Sequence, residues 1–407
     1  MTHSAKTIVL LPGDGIGPEV TSAAVAVLSD CAAEFGHRWD FVELPFGGIA
    51  IDRCGSPLPA ETLAACQCAD AILLGAVGGP RWDSLPLDRR PEAGLLALRR
   101  ALGLWANLRP VVLRKPLRDV SPLRPDRAPR IDFEIVRELA GGIYFGEHSL
   151  ERTNGFEVAR DVETYSTPEI ERIARFAFDR AARRSGRLVS VDKANILASS
   201  ALWRQTVSRL ASDYPGVSLS HLYVDNAAMQ LILDPAQFDV LLTSNLFGDI
   251  LSDEAAALVG SIGLMPSMSC GEGTPLFDPI HGSAPSLAGR DLANPIGAIL
   301  CATLLLREAF ALPEEAAWIE AALDAVLDAG YRTADLAASG ALTFGAASAV
   351  GPSFSAASTS SRGRGVSCSG TFRVSDSFTV GCSGFVAQLR TRLREPLPQL
   401  ERYGWGV

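Results

Sequence analysis

The chain has 407 residues, of which 47% are hydrophobic and 20% are charged, and its formal net charge is −9. This composition is typical of a globular protein with a large core, and the acidic balance argues against a nucleic-acid-binding surface. No apolar run of about 18 residues is present, so we expect no membrane partner and a cytoplasmic location. The eight cysteines show no metal or redox spacing, which predicts free thiols.

Strand and helix patterns alternate along the first 345 residues. Thr7 to Leu11 indicates a strand, and the glycine turn at 13–17 leads into a helix with Pro18 in its first turn and Phe35 on its apolar face. Regular alternation of this kind predicts an α/β fold with a largely parallel sheet. Further strands are predicted at 71–74, 107–113, 131–136, 188–191, 219–223 and 238–242, and helices at about 168–185, 199–212, 249–259, 294–310 and 313–329.

The composition changes near residue 346. The chain is Ser/Gly-rich from 346 to 384, and Asp376 is the only acid between 346 and 394. Because this stretch lacks the apolar periodicity of the preceding residues, we expect 346–407 to be an atypical Ser/Gly/Arg-rich tail that is poorly ordered.

Two aspartates stand out after the predicted strand at 238–242. With a helix starting near Gly248, Asp249 and Asp253 lie one turn apart on the same face, where like charges repel. A divalent cation such as Mg²⁺ or Mn²⁺ would turn them into a ligand pair, and Asp249→Asn would then relieve repulsion in the metal-free protein. The alternative is that Asp249 caps the helix and is followed by an acidic first turn.

Three arginines lie in apolar or tightly turned settings. Arg109 and Arg137 each lie near the end of a predicted strand, where α/β folds place ligands, and Arg99 follows the apolar run Leu95 to Leu98. Converging guanidinium groups suit a dicarboxylate substrate, which they hold bidentately. Alternatively, each is a surface or ion-pair arginine.

Other polar residues follow strands or sit in turns. Lys193 follows a strand and is a candidate base, or a solvated lysine paired with Asp192. Tyr144, flanked by glycines, is a candidate proton donor or a packed loop aromatic. Asp225 ends another strand and is a candidate third metal carboxylate.

A small-residue turn begins at His281 and continues through Gly282, Ser283 and Ala284, and Asn294 precedes a predicted helix. Such a turn and helix start can hold the adenosine half of a dinucleotide. The glycines at 13–17 do not fit the dinucleotide fingerprint of Rossmann folds, since they fall at every second position.

These segments together closely resemble the β-decarboxylating dehydrogenases of the isocitrate/isopropylmalate dehydrogenase family. The resemblance runs from about residue 6 to about 344. It is carried by LLPGDGIGPEV, WANLRPV, VRELAGGIYFGE, SVDKANIL, YVDNAAMQL, SNLFGDILSDEAAALVGSIGL and HGSAPSLAG.

The resemblance implies roles for these residues. Metal binding falls to Asp225, Asp249 and Asp253, and carboxylate binding to Arg99, Arg109 and Arg137. Lys193 assists deprotonation of the substrate hydroxyl during hydride transfer, the metal stabilises the enolate left by CO₂ loss, and Tyr144 protonates that enolate. The implied cofactor-binding residues are Gly78, Glu92, His281, Gly282, Ser283, Ala284 and Asn294.

The segment 91–99 resembles the isopropylmalate branch, in which Leu95 and Leu96 form an apolar wall for the isopropyl group and Glu92 lies near the nicotinamide. The implied activity is oxidative decarboxylation of (2R,3S)-3-isopropylmalate to 4-methyl-2-oxopentanoate with reduction of NAD, in leucine biosynthesis. The alternatives are dehydrogenation of a related 2-hydroxy diacid (homoisocitrate, D-malate or tartrate) and a non-catalytic paralogue with a damaged C-terminus.

The family architecture implies a two-domain, non-Rossmann fold. Residues 1–104 plus 261–345 would form an outer, cofactor-binding domain, and 105–260 an inner domain for substrate, metal and dimerisation. A homodimer with shared active sites is implied, since Lys193 and Asp225 come from the neighbouring subunit in this family.

Two positions depart from the family pattern. NAD-using relatives carry an acid after HGSAP, and this chain has Ser286, which weakens the argument for NAD over NADP. Relatives also end with a helix soon after the position of Gly345, and this chain is expected to lack it.

Overall fold

The computed structural model describes residues 5–124, 131–153, 155–337 and 378–395. Strands and helices alternate as the sequence predicts. The strands are β1 Lys6–Gly13, β2 Trp39–Glu43, β3 Ala71–Ala76, β4 Leu104–Val112, β5 Asp132–Glu138, β6 His148–Thr153, β7 Phe156–Asp161, β8 Arg187–Asp192, β9 Ser218–Tyr223, β10 Val240–Thr243, β11 Pro266–Gly271, β12 Leu276–Pro279, β13 Tyr331–Arg332 and β14 Phe378–Thr379. The helices are α1 Gly17–Phe35, α2 Gly48–Cys54, α3 Ala60–Cys68, α4 Pro91–Ala101, α5 Thr167–Arg183, α6 Ala198–Leu210, α7 Val224–Leu233, α8 Asn245–Leu258, α9 Ile296–Glu308, α10 Pro313–Asp328 and α11 Cys382–Leu393.

Ten strands form one sheet in the order β2-β1-β3-β12-β11-β4-β5-β10-β8-β9. The pairings at its centre, β12–β11, β11–β4 and β4–β5, are antiparallel. The pairings on either side are parallel. The predicted α/β fold with a largely parallel sheet is therefore confirmed, and the antiparallel centre separates it from the Rossmann arrangement.

Apolar side chains are buried on both faces of the sheet, and the stretch Ile8 to Leu11 of β1 is an example. Ile8 and Leu10 belong to one apolar cluster, and Val9 and Leu11 belong to a second. Successive side chains of a strand point to opposite faces, so a strand with two covered faces needs apolar residues at every position.

Helix α1 begins at Gly17 with Pro18 in its first turn, and it ends before Gly36, whose φ of 73° closes the helix in the left-handed region. The prediction that Phe35 faces the core is wrong. Phe35 is the last residue of the helix, is 39% exposed and packs edge-on against Trp318.

The C-terminal segment differs from the sequence expectation. The prediction of a poorly ordered tail is wrong for residues 378–395, where β14 pairs in parallel with β13 and α11 packs on α1 and α10. Cys382, Phe385 and Leu389 recur at helical spacing and are buried. The chain thus keeps a terminal helix, and residues 346–377 and 396–407 lie outside the described residues.

The cysteines and helices agree with the composition where the structure describes them. The thiols of Cys31, Cys54, Cys66, Cys68, Cys270, Cys301 and Cys382 are free. None of the helices in the described ranges combines the length and apolar content that a membrane span requires.

Candidate active site

The central antiparallel strands bring two of the predicted arginines together. Asn107 on β4 lies opposite Arg137 on β5, so Arg109 and Arg137 project from the same face of the sheet. Arg109 lies in the middle of β4 and not at its end, and both guanidinium groups are buried. Arg109 Nε donates to Asn107 Oδ1 at 2.6 Å, which fixes the direction of its guanidinium group.

Helix α8 places a carboxylate over these guanidinium groups. Asp249 Oδ1 accepts from Arg137 Nη1 and lies 3.4 Å from Arg109 Nη2. Burial opposes ionisation of Asp249, but the two arginines outweigh it and hold the pKa of this carboxyl below its usual value. The arginines are therefore ion-paired, as the alternative interpretation held, and they also converge on one cluster as the dicarboxylate hypothesis requires.

The position at which α8 begins decides whether Asp249 caps the helix. Helix α8 begins at Asn245, three residues earlier than expected, and Ser244 occupies the N-cap position. Asp249 is therefore in the second turn and does not cap the helix. Asp253 follows one turn later, and its pKa is raised by burial and by the charge of Asp249.

Two polar residues that the sequence analysis missed complete this cluster. Asn245 Oδ1 accepts from both Arg137 Nε and Arg137 Nη2, at 3.0 and 2.8 Å, and Ser252 Oγ accepts from Arg109. Both sit on α8 near Asp249, so helical spacing from Asp249 was the signal that would have found them.

Tyr144 joins the same cluster from the loop after β5. Its hydroxyl donates to Asp249 Oδ2 at 2.9 Å, and its ring lies beneath the Arg137 guanidinium at 5.7 Å. Burial and the neighbouring carboxylate raise the pKa of Tyr144, so the phenol is protonated and is a proton donor at neutral pH.

Helix α4 carries the third arginine. Arg99 is buried, and its Nη2 lies 3.4 Å from Asp278 on β12, while its Nε has no partner among the described residues. Burial and the charge of Arg137 lower the pKa of Arg99. A cationic group held in this way favours the binding of an anion. Leu95 and Leu96 precede it by one turn and are half-buried, so they and Arg99 share one side of α4.

Lys193 and Asp225 form a separate pair. Lys193 Nζ donates to Asp225 Oδ1, and the Asp225 side chain is 65% exposed. This hydrogen bond lowers the pKa of Asp225. Asp192, the partner that the alternative interpretation gave to Lys193, instead binds Arg204.

Three aspartates, Asp225, Asp249 and Asp253, are the predicted ligands of a metal ion. Among the described residues, the group of three or more potential ligands that lie mutually close is Glu19, Asp291 and Cys382. Asp225 therefore does not reach Asp249 and Asp253 within one chain. The carboxylates of Asp249 and Asp253, one turn apart on α8, offer the oxygen donors that Mg²⁺ and Mn²⁺ prefer.

The turn from His281 packs against the glycine turn after β1. Ile16 N donates to Ser283 O at 2.8 Å, and a side chain on Gly15 would collide with Ser283. Gly282 is exposed and Ala284 adopts a φ of 37°. His281 is 8% exposed, its Nδ1 contacts Gly282 O, and its Nε2 is buried without a partner in the part of the chain that the structure describes. Such an orphaned nitrogen fits a polar ligand at this turn.

The remaining predicted cofactor residues surround this turn. Gly78 adopts a φ of 99°, in the left-handed region that favours glycine, and it lies beside the Glu92 side chain. Both polar atoms of the Asn294 side chain form hydrogen bonds within the protein. Its Nδ2 donates to Asp335, and its Oδ1 accepts from Ile296 N at the start of α9.

Asp14 is a buried residue whose importance the sequence analysis missed. Its carboxylate accepts backbone N–H groups from Gly48, Ile49 and Gly78, each at 2.8 Å. It therefore ties the glycine turn to the loop that carries Gly78. An acid within a run of glycines was the available signal.

The comparisons with known proteins agree with this geometry. The family model for isocitrate/isopropylmalate dehydrogenase matches residues 7–351. The chain belongs to the isocitrate/isopropylmalate dehydrogenase family. It is therefore an enzyme of the oxidoreductase class, and its family is metal- and NAD-dependent and acts on small molecules.

Curated relatives cover most of the chain. The 3-isopropylmalate dehydrogenase of Oleidesulfovibrio alaskensis is 56% identical over 333 residues, which are 81% of this chain and 93% of the relative. The 3-isopropylmalate dehydrogenase of Bacillus subtilis is 54% identical over 82% of this chain and 92% of the relative.

Solved structures share the fold over nearly the whole chain. The isocitrate dehydrogenase of Methylococcus capsulatus superposes with a TM-score of 0.78 at 29% identity, covering 96% of this chain and 100% of the other. A β-decarboxylating dehydrogenase of Thermococcus kodakarensis gives 0.69 at 32% identity, over 95% and 96% of the two chains.

Proposed function

We propose that the protein catalyses NAD-dependent oxidative decarboxylation of (2R,3S)-3-isopropylmalate in leucine biosynthesis. The observation that carries the proposal is the joint placement of Leu95, Leu96 and Arg99 on one side of α4. Curated relatives that are 56% and 54% identical to the chain are 3-isopropylmalate dehydrogenases, which supports the same substrate. A substrate with one branched alkyl group and two carboxylates matches an apolar wall beside a guanidinium cluster.

The arginines bind the substrate carboxylates in this proposal. Arg109 and Arg137 are oriented by Asn107 and Asn245, so their planar forks are held before substrate arrives. Preorganised donors lose little freedom on binding, and each adds a charge-assisted bond. Arg99 shares one side of α4 with Leu95 and Leu96, so the carboxylate that it binds would lie beside the alkyl group of the substrate.

Proton transfers fall to Lys193 and Tyr144. Lys193 would accept the proton of the 2-hydroxyl as C2 is oxidised. The bond between C3 and its carboxylate then breaks with loss of CO₂, and Tyr144 would donate a proton to C3 from a hydroxyl that already points into the cluster. Asp249 and Asp253 would hold Mg²⁺ or Mn²⁺, which would supply Lewis-acid chemistry. The turn at 281–284 would hold the dinucleotide, which would supply a hydride acceptor.

The active site would be completed by a second copy of the chain. Lys193 and Asp225 form an exposed pair, and helix α7, which carries Asp225, exposes the apolar side chains of Met229 and Ile232. Ile250 on α8, beside Asp249, is 56% exposed. A contiguous apolar surface of this kind is typical of a subunit interface. Homodimerisation would bring the partner copy's Lys–Asp pair to Asp249 and Asp253.

The proposed domain division follows the sheet. Strands β1 to β3, β11 and β12 occupy one side of the strand order, and β4, β5 and β8 to β10 occupy the other. This supports an outer domain of 1–104 plus 261–345 and an inner domain of 105–260. A cytoplasmic location and the lack of nucleic-acid and membrane partners stay predictions from composition.

Initial rates of dinucleotide reduction test the proposal. Purified protein would be assayed with 3-isopropylmalate, isocitrate, homoisocitrate and D-malate at equal concentrations with Mg²⁺. We expect kcat/KM to favour 3-isopropylmalate by more than tenfold, since the extra buried methyl groups are worth about 0.8 kcal/mol per CH₂. A comparable preference for another diacid would overturn the substrate assignment, and a folded protein inactive with all four would favour a non-catalytic paralogue.

A further inference from the structure

The C-terminal helix α11 contacts the turn that holds His281 and Ser283. Asp291, at the end of that turn, accepts the Ser383 backbone N–H on Oδ1 and the Ser383 hydroxyl on Oδ2, both at 2.7 Å. Asp291 O also accepts Cys382 N at 3.2 Å. The first turn of α11 thus uses both carboxylate oxygens and the carbonyl of Asp291.

Asp291 lies in an unusual backbone conformation, with a φ of 56°. Non-glycine residues are costly in this left-handed region, although aspartate tolerates it better than most. A side chain on Gly381 would collide with the Asp291 carbonyl and carboxylate, so α11 approaches the turn as closely as a glycine permits. The contacts with α11 offset the backbone cost and hold the turn in one shape.

The opposite side of the same turn is fixed by α1. Glu19 Oε1 accepts Gly289 N at 2.6 Å, and Ser283 O accepts Ile16 N at 2.8 Å. The exposed residues between these anchors include Ser286, whose carbonyl accepts Arg290 Nη1 at 3.2 Å. The turn is therefore clamped between the first and last helices of the described chain.

We infer that α11 positions the cofactor turn, with Asp291 and Ser383 as positioning residues that set the affinity for the adenosine half of the dinucleotide. The inference rests on the proposed function, which gives the turn at 281–294 its cofactor role. Neither residue touches the substrate cluster around Asp249. Their removal should therefore affect cofactor binding and leave substrate binding unchanged.

Direct binding and kinetics of Asp291→Ala test this inference. We expect the Kd for NADH, followed by its fluorescence in the absence of substrate, and the KM for NAD to rise about tenfold, since a turn without its anchor must be ordered when the dinucleotide binds. The kcat at saturating NAD and the KM for 3-isopropylmalate should not change. Asp291→Asn keeps one acceptor oxygen, and asparagine also tolerates the left-handed backbone conformation. This variant should therefore bind NADH nearly as tightly as the wild type.

Arg390→Ala provides a matched control at the other end of the same helix. Arg390 forms a two-bond ion pair with Asp30 on α1, at 2.5 and 2.9 Å, away from the turn. This variant should lower Tm without changing the Kd for NADH. Equal cofactor affinity in Asp291→Ala and wild type, or an equal loss of affinity in Arg390→Ala, would overturn the inference and leave α11 a purely structural helix.

Ser383→Ala covers the case in which Asp291→Ala does not fold. It removes one of the three bonds to Asp291, and we expect a twofold to threefold rise in the Kd for NADH. An unchanged Kd in folded Ser383→Ala would contradict the inference. Wild-type protein that binds neither NADH nor NADPH would overturn the proposed function itself, and the inference with it.

Discussion

Arg137 and Asp249 form an ion pair at the centre of the candidate site, and the same carboxylate accepts the Tyr144 hydroxyl at 2.9 Å. This contact changes what Asp249 does without a cation. Helical spacing alone shows Asp249 repelled by Asp253, whereas in the fold it compensates two buried arginines. Its removal therefore leaves Arg109 and Arg137 with their mutual repulsion.

Asp249→Asn should therefore destabilise the metal-free protein, contrary to the expectation from the sequence. We expect Tm in EDTA to fall by about 2–4 °C, the shift that 1 kcal/mol produces in a large domain. Activity should fall more than about 100-fold, since loss of a direct ligand costs more than loss of a group behind it. Calorimetry and initial rates are the measurements. Glu254→Gln, which removes a neighbouring charge, is the control, and an unchanged or higher Tm for Asp249→Asn would contradict the ion-pair argument.

Tyr144→Phe should separate the two halves of the reaction. Hydride transfer precedes the step assigned to Tyr144, so a rapid burst of about one NADH per site should survive in stopped-flow measurements. Steady-state kcat should fall by about 10²-fold or more, as expected for loss of a general acid. Loss of the burst together with kcat would show that Tyr144 acts before decarboxylation.

A dicarboxylate should stabilise the protein through the arginine cluster. Burial and the neighbouring Arg137 lower the pKa of Arg109 to about 10, so a bound carboxylate would offset the unfavourable burial of this cation. At 100 times Kd, 3-isopropylmalate should add about 2.7 kcal/mol and raise Tm by several degrees. Arg109→Gln should abolish the shift in differential scanning fluorimetry, and a full shift in that variant would exclude Arg109 from the anion site.

Mixed variants should reveal shared active sites. Lys193→Met and Tyr144→Phe would each be inactive, but refolding them together should restore about a quarter of wild-type activity, because half the dimers are hybrids with one intact site. Tyr144→Phe mixed with Asp249→Asn is the control, since both residues lie on the same side of one site and no hybrid site is intact. Equal recovery in the two mixtures would argue against sites built from two chains.

Ser286 should weaken the discrimination between NAD and NADP. It is exposed at the cofactor turn, and Arg290 binds its carbonyl at 3.2 Å. Ser286→Asp should raise the NAD-to-NADP ratio of kcat/KM at least tenfold, because bonds to a charged acceptor contribute about 1.5–3 kcal/mol each. Ser286→Asn, similar in size but uncharged, separates charge from shape, and an unchanged ratio in both would mean that residue 286 does not face the ribose.

Helix α11 has an apolar periodicity that the surrounding composition obscures. Cys382, Phe385, Leu389 and Leu393 repeat at helical spacing, but the long Ser/Gly-rich segment before them suggested continuous disorder. A twelve-residue helix is marginal by itself, and α11 is stabilised by packing on α1 and α10. The helix therefore depends on tertiary packing for its stability, although its apolar periodicity is visible in the sequence.

The sequence by itself determined the α/β class, the family and seven of the ten strands of the main sheet, because hydrophobic periodicity and motif spacing are local properties of the chain. It did not predict β2, β11 and β12, and the last two form part of the antiparallel centre. Tertiary structure decided which groups meet. It paired Asp249 with Arg137 and Lys193 with Asp225, and it brought Asp291 into hydrogen bonds with the first turn of α11. Such contacts join residues 32 to 112 positions apart, so they depend on strand order and helix packing that no local pattern encodes.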